Sequence, residues 1–182
     1  MNTSDPRAPR IEPDPATDHL AGPARAEVTV IEYGDFECPS CRLAHPAMKF
    51  LQSQHGQHLR FAFRHYPLRE VHPHAEMAAE AAEAAGAQQQ FWAYHDLLFA
   101  HQDHLDAKHL TAYAAQLGLD MPRFENELKD HVYRQRVQEQ IASGLRFGVR
   151  ATPTFFVNGK LADVSFGIER LQAAVGAALA AH

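Results

Sequence analysis

Two short stretches of the chain alternate polar and apolar residues. Glu27 to Tyr33 does so with the β-branched run Val28-Thr29-Val30-Ile31, and Leu59 to Tyr66 does so with Phe61 and Phe63 on one face. A period of two predicts buried or half-buried strands. Between them the period lengthens: Leu43, Ala44, Ala47, Met48 and Leu51 recur at helical spacing from Pro39 until Gly56. Pro39 suits a first helical turn. Pro46 falls inside the helix and predicts a kink, because it removes a donor and crowds the preceding turn. The segment reads β-α-β, which implies a parallel strand pair with a right-handed crossover.

From about Pro73 to Phe147 the pattern is helical throughout. His74 to Ala87 is alanine-rich, with Glu76, Glu80 and Glu83 expected on its solvated side. Gln89 to His101 puts Phe91, Tyr94, Leu97 and Leu98 on one face, which Trp92 and Phe99 widen, and this stripe reads as core. Lys108–Leu117, Met121–His131 and Tyr133–Phe147 complete the block, with Gly118 and Gly148 as stops. Thr154 to Leu161 then carries Asn158-Gly159, the pair that a type I′ hairpin turn asks for. Ala162 to Ser165 is expected to return as the second arm, and Ile168 to Ala181 forms a last amphipathic helix on Leu171, Val175 and Leu179. The chain is thus an α/β protein ordered β-α-β, helical insert, β-β-α. Its parts are a first half over 19–70, an insert over 71–148 and a second half over 149–182. Residues 1–18 hold Pro6, Pro9, Pro13 and Pro15 with hardly a large apolar side chain, and are expected to be disordered.

Composition narrows the function classes. With 182 residues, 46% hydrophobic and 21% charged, the chain suits one ordinary globular domain. A formal charge of −5 excludes the basic stripe of a nucleic-acid binder. No apolar run approaches the ~18 residues of a membrane span, and no apolar core of a secretory signal is visible. A cytoplasmic address is expected, or an extracytoplasmic one if a leader has been removed.

The two cysteines stand together, as Cys38-Pro39-Ser40-Cys41, where the first strand hands over to the helix. Free N–H groups and the positive end of the macrodipole favour a thiolate there. In such places a thiol titrates at roughly 3.5–7.5 instead of about 8.5. Cys38 is therefore expected to be an exposed, anionic nucleophile, with Cys41 on the same helical face to resolve a mixed disulfide. Other readings compete. A structural disulfide closing so small a loop would stabilise little. A zinc site would need a second ligand pair, and His72-Pro73-His74 has neither usual spacing. Idle sulfurs on a binding or chaperone module are the third reading.

The order of elements, with a C-x-x-C at the first strand-to-helix junction, resembles the thioredoxin fold. The long helical insert narrows the resemblance to the DsbA-like thiol–disulfide oxidoreductases. It is carried by Val30 to Cys41, by Arg64-His65-Tyr66-Pro67-Leu68 with His72-Pro73-His74-Ala75, and by Ala151-Thr152-Pro153-Thr154-Phe155. Pro46 falls where such proteins carry a helix kink. The resemblance implies exchange with protein or peptide thiols and disulfides, a separate redox partner for recycling, and no bound cofactor. It implies that Pro153 follows a cis bond and, with Thr152, Pro39 and Ser40, meets the substrate chain. It also implies that Glu32, six residues before Cys38, relays protons to Cys41, although an outward-facing residue in the strand is an equal reading. Glu37 would oppose a thiolate and is expected to face solvent. Ser40 departs from the histidine of the strongest oxidases in the family.

Overall fold

The computed structural model describes residues 11–181. In chain order the elements are β1 (His19–Ala21), β2 (Val28–Gly34), α1 (Pro39–His55), β3 (Leu59–His65), α2 (Ala75–Gly86), α3 (Phe91–Ala100), α4 (Ala107–Gln116), α5 (Met121–Lys129), α6 (Arg134–Arg146), β4 (Thr154–Val157), β5 (Lys160–Ala162) and α7 (Glu169–Ala180). The strands form one sheet ordered β1-β3-β2-β4-β5. β2 lies parallel to β3 and antiparallel to β4, so the strand leading to the cysteines is central and all seven of its residues are buried.

Alternation along β2 assigns its two faces. Val28 and Val30 join the larger core, with Met48 and Leu51 of α1, the aromatic stripe of α3, and Leu171 and Val175 of α7. Ile31 and Tyr33 join a second cluster with Ala62, Tyr66, Val149 and Phe156, against which Ile141 and Phe147 pack. α6 crosses this second face at Gly144, where a Cβ would stand 2.9 Å from the Tyr66 ring. The hairpin turns through Asn158 and Gly159, both at positive φ. Val157 pairs directly with Lys160, so the returning arm is Lys160–Ala162 rather than Ala162–Ser165. A two-residue turn leaves no slack for the later start. α1 continues through Pro46 to His55.

Three features depart from the expectations above. The disordered lead-in falls partly outside the described residues, at 1–10, but within the rest Ile11 is buried in the second cluster and Asp18 is buried as well. Nearby, the Arg64 guanidinium donates to both carboxylate oxygens of Asp18, at 2.8 and 2.7 Å, and to the Glu12 carbonyl at 2.8 Å. A short edge strand, β1, follows and pairs antiparallel with β3. Finally, Glu80 and Glu83 of α2 are buried, not solvated. Glu83 meets His65 Nε2 at 2.9 Å and His19 Nε2 at 3.0 Å. Arg136 Nε lies 2.8 Å from the same carboxylate, as an ion pair whose N–H is not aligned for a hydrogen bond. Glu80 meets His131 Nδ1 at 3.1 Å. Cationic and imidazole partners from β1, β3 and α6 replace the lost water, which a single-helix pattern does not reveal. Among the described residues, no helix is long and apolar enough to cross a membrane.

Candidate active site

Cys38 is the N-cap of α1, in extended conformation (φ −75°, ψ 122°), with Pro39 opening the helix. Both cysteines are free thiols. The Cys38 N–H donates to the Asp35 carbonyl at 3.1 Å, and its sulfur donates to the Thr152 carbonyl at 3.4 Å. The Thr152–Pro153 peptide bond is cis. The loop before β4 therefore lies against the dithiol, bringing Thr152 to the residues at the start of α1. Cys38 is only 6% exposed, so the thiol is less open than expected. Beside it runs an open cavity of about 240 Å³ lined by Ser40, Leu43, Ala44, Pro153, Val164 and Ile168. Pro39 and Ser40 themselves are exposed.

The two sulfurs differ sharply in acidity. A hydrogen bond from the Cys41 thiol leads the causes that bring Cys38 down to about 5, against the opposing effect of burial. Thr152 adds to the lowering. The N–H groups of Ser40 and Cys41 contribute as aligned dipoles, since no formal side-chain cap bond forms. Cys41 is fully buried, and burial, the bond it gives to Cys38 and the nearby Glu32 raise it well above the ordinary thiol value. The Asp35 N–H, at 3.4 Å from the Cys41 sulfur, acts in the opposite sense.

Glu32 is 3% exposed and lies on the inner face of β2, opposite Phe63 and Phe155 in the register. The outward-facing reading of this residue does not hold, because β2 has neighbours on both sides and core on both faces. Burial, with the charge of Cys38, pushes Glu32 up to about 8, and its Oε1 has no hydrogen-bond partner among the described residues. Glu37 does not simply face solvent: it is half-buried, and its Oε2 accepts the His74 N–H at 2.7 Å.

Three residues around the dithiol were not singled out from sequence for this role. Asp35 is buried, and its carboxylate accepts from the N–H groups of Glu37 and Leu68, both at 2.8 Å. The same carboxylate lies 2.7 Å from His72 Nδ1. Gln102, in the loop after α3, donates to the carbonyls of Phe36 and Cys38 at 2.8 Å each. Gln102 carries no periodic signal; Asp35 and His72 lie inside the stretches that carried the family resemblance. Away from the dithiol, His45 of α1 with His95 and Asp96 of α3 gather ligand-type atoms within 4.8 Å of one another. There the Lys49 ammonium stands 2.7 Å from Asp96, already supplying a cation.

Residues 14–177 match a family model described as Thioredoxin. Among curated relatives, the Na(+)/H(+) antiporter NhaA 1 of Salinispora arenicola is 49% identical over 167 residues, covering 92% of this chain and 26% of that protein. The antiporter NhaA of Herminiimonas arsenicoxydans is 43% identical over 82% of this chain and 24% of its own length. The chain thus spans about a quarter of the length of the curated relatives it matches. A thioredoxin-like oxidoreductase from Silicibacter pomeroyi superposes with a TM-score of 0.80 at 26% identity, covering 93% of this chain and 95% of that one. DsbA2 of Pseudomonas aeruginosa gives 0.67 at 26% identity over 87% and 92%. BdbD of Bacillus subtilis gives 0.81 at 22% identity over 93% and 97%, a likeness of fold. The chain belongs to the thioredoxin family, as a DsbA-like member with its helical insert between the two halves of the fold.

Proposed function

We propose that the chain is a protein disulfide oxidoreductase that exchanges the Cys38–Cys41 dithiol with thiols and disulfides of protein or peptide partners. The observation that carries this reading is the placement of the pair: Cys38 caps α1 with its sulfur on the cis Thr152–Pro153 loop and Cys41 is buried, so Cys38 falls to about 5 and Cys41 rises well above the ordinary value. One sulfur is a thiolate at neutral pH while the other keeps its proton until it is needed.

In the reducing direction, the Cys38 thiolate attacks a partner disulfide, forming a mixed disulfide and releasing one partner thiolate, which takes up a proton. The Cys38 charge is now gone, and with it one cause that keeps Glu32 protonated. Glu32 then ionises more readily, so the carboxylate can take the Cys41 proton. The Cys41 thiolate attacks the Cys38 sulfur, expels the second partner sulfur and leaves the enzyme oxidised. The oxidising direction is the reverse, and a separate redox partner restores the starting state. Thr152 and Pro153 line the approach, where an extended chain can meet backbone groups. Pro39 and Ser40 form the exposed lip over which it passes.

Stabilising the Cys38 thiolate favours the reduced enzyme, which makes its disulfide the better oxidant. Net disulfide donation is therefore the favoured direction. Such donation fits an oxidising extracytoplasmic compartment better than the reducing cytosol. Cys38→Ala tests the reading: it should abolish insulin reduction and the oxidative refolding of a reduced substrate. Turnover retained in that variant, or in the double Cys38→Ala/Cys41→Ala protein, would favour a binding module with idle sulfurs.

A further inference from the structure

Asp35 meets both cysteines through its backbone and the flanking segments through its carboxylate, yet the exchange reaction has no step for it. Its backbone N–H meets the Cys41 sulfur and its carbonyl takes the Cys38 N–H. Its buried carboxylate fastens the loop internally, through Glu37, and externally, through Leu68 and His72 in the segment after β3. The His72 ring is thus held by Nδ1, at 2.7 Å, with only 17% of its side chain exposed. Among the described residues no protein hydrogen bond engages its Nε2. An imidazole fixed in this way has a defined tautomer when neutral and a buried counter-ion when charged.

We infer that Asp35 and His72 are a positioning pair that sets the thiolate character of Cys38, the carboxylate clamping the dithiol loop and holding the imidazole as a cation against that loop. This rests on Cys38 being the attacking sulfur. The groups that act on the ring agree with it. Burial disfavours the imidazolium, but the Asp35 hydrogen bond and charge, then the charges of Cys38 and Glu37, raise His72 above its ordinary value. Interaction between two titrating groups is reciprocal: if the Cys38 thiolate stabilises the imidazolium, the imidazolium stabilises the thiolate by the same amount. A purely structural role for His72 would not couple the two titrations.

Two measurements decide it. The first uses the unmodified sequence: His72 is titrated by NMR in the reduced protein and after Cys38 is capped with iodoacetamide. Its midpoint should fall when the thiolate is removed, and equal midpoints would overturn the pair. The second follows ultraviolet thiolate absorbance against pH in wild type, His72→Gln and His72→Lys. The glutamine keeps a donor for Asp35 without the charge, so the Cys38 midpoint should rise and the thiolate fraction at acidic pH should fall. Lysine should return part of it, and the glutathione equilibrium of His72→Gln should move toward the disulfide. A His72→Gln profile that superposes on wild type also overturns the inference. Should that variant fail to fold, the wild-type NMR comparison still decides. If instead wild-type Cys38 shows ordinary acidity, the reading of the dithiol itself fails, a result distinct from an acidic Cys38 indifferent to His72.

Discussion

Glu32→Gln should flatten the pH dependence of stability while it slows exchange. In the reduced protein the Glu32 carboxyl titrates at about 8, against 4.5 for an ordinary glutamate, because it is buried and sits near the Cys38 charge. A group whose folded value is raised adds nothing unfavourable below pH 4.5, where it is protonated in both states. As pH climbs, the unfolded chain ionises and the folded one does not. Stability then falls at about 1.4 kcal/mol per pH unit until the folded group also ionises near 8. The accumulated cost is about 3 kcal/mol at pH 7 and about 5 kcal/mol above pH 8. Glutamine does not titrate. Its extra N–H₂ enters a pocket where Glu32 Oε1 already lacks a partner, which costs roughly 1–3 kcal/mol at every pH. The offset between the two proteins is thus variable, but the slope is diagnostic. Urea unfolding of both, under reducing conditions from pH 4.5 to 8.5, should show wild type losing stability relative to the variant across that window. Parallel curves would refute the raised titration point of Glu32, and with it the proton-relay role.

Iodoacetamide labelling with peptide mass mapping should show Cys38 half-ionised near pH 5 while Cys41 stays unlabelled through neutral pH. A single ordinary thiol profile at Cys38 would contradict the site as described. Glu83→Ala should cost about 3–5 kcal/mol in urea unfolding, because it strips a buried carboxylate from His65, His19 and Arg136. Burial alone would raise Glu83, but the bonds from His19 and His65 outweigh it and hold the group well below the usual range. Its contribution is therefore present above the unfolded value of 4.5 and lost as pH falls, so the gap to the alanine variant should close in acid.

How much was legible follows from where each signal resides. The Cys38–Cys41 spacing, the β2 alternation, the helical stripes of the insert and the Asn158-Gly159 turn are local, and each appears where the sequence put it. The β1 strand was invisible because three residues carry no period, and it exists only by pairing with β3. Glu80 and Glu83 misled for the same reason: a glutamate on an alanine helix reads as solvated until His19, His65, His131 and Arg136 are brought to it from elsewhere.

Motif spacing and periodicity, which are properties of neighbours along the chain, were enough for the order of the elements after β1, the family and the pair of sulfurs. The start of the helix already marked Cys38 as the sulfur to ionise; tertiary structure decided what surrounds it, by bringing together groups far apart in sequence. The Thr152 carbonyl comes from before β4, Gln102 from the insert, and the Asp35–His72 contact spans two loops. The central place of β2 decided the state of Glu32, whose charge has neither water nor a partner to favour it. Acidity is a sum over a three-dimensional surrounding, and a linear pattern does not contain it.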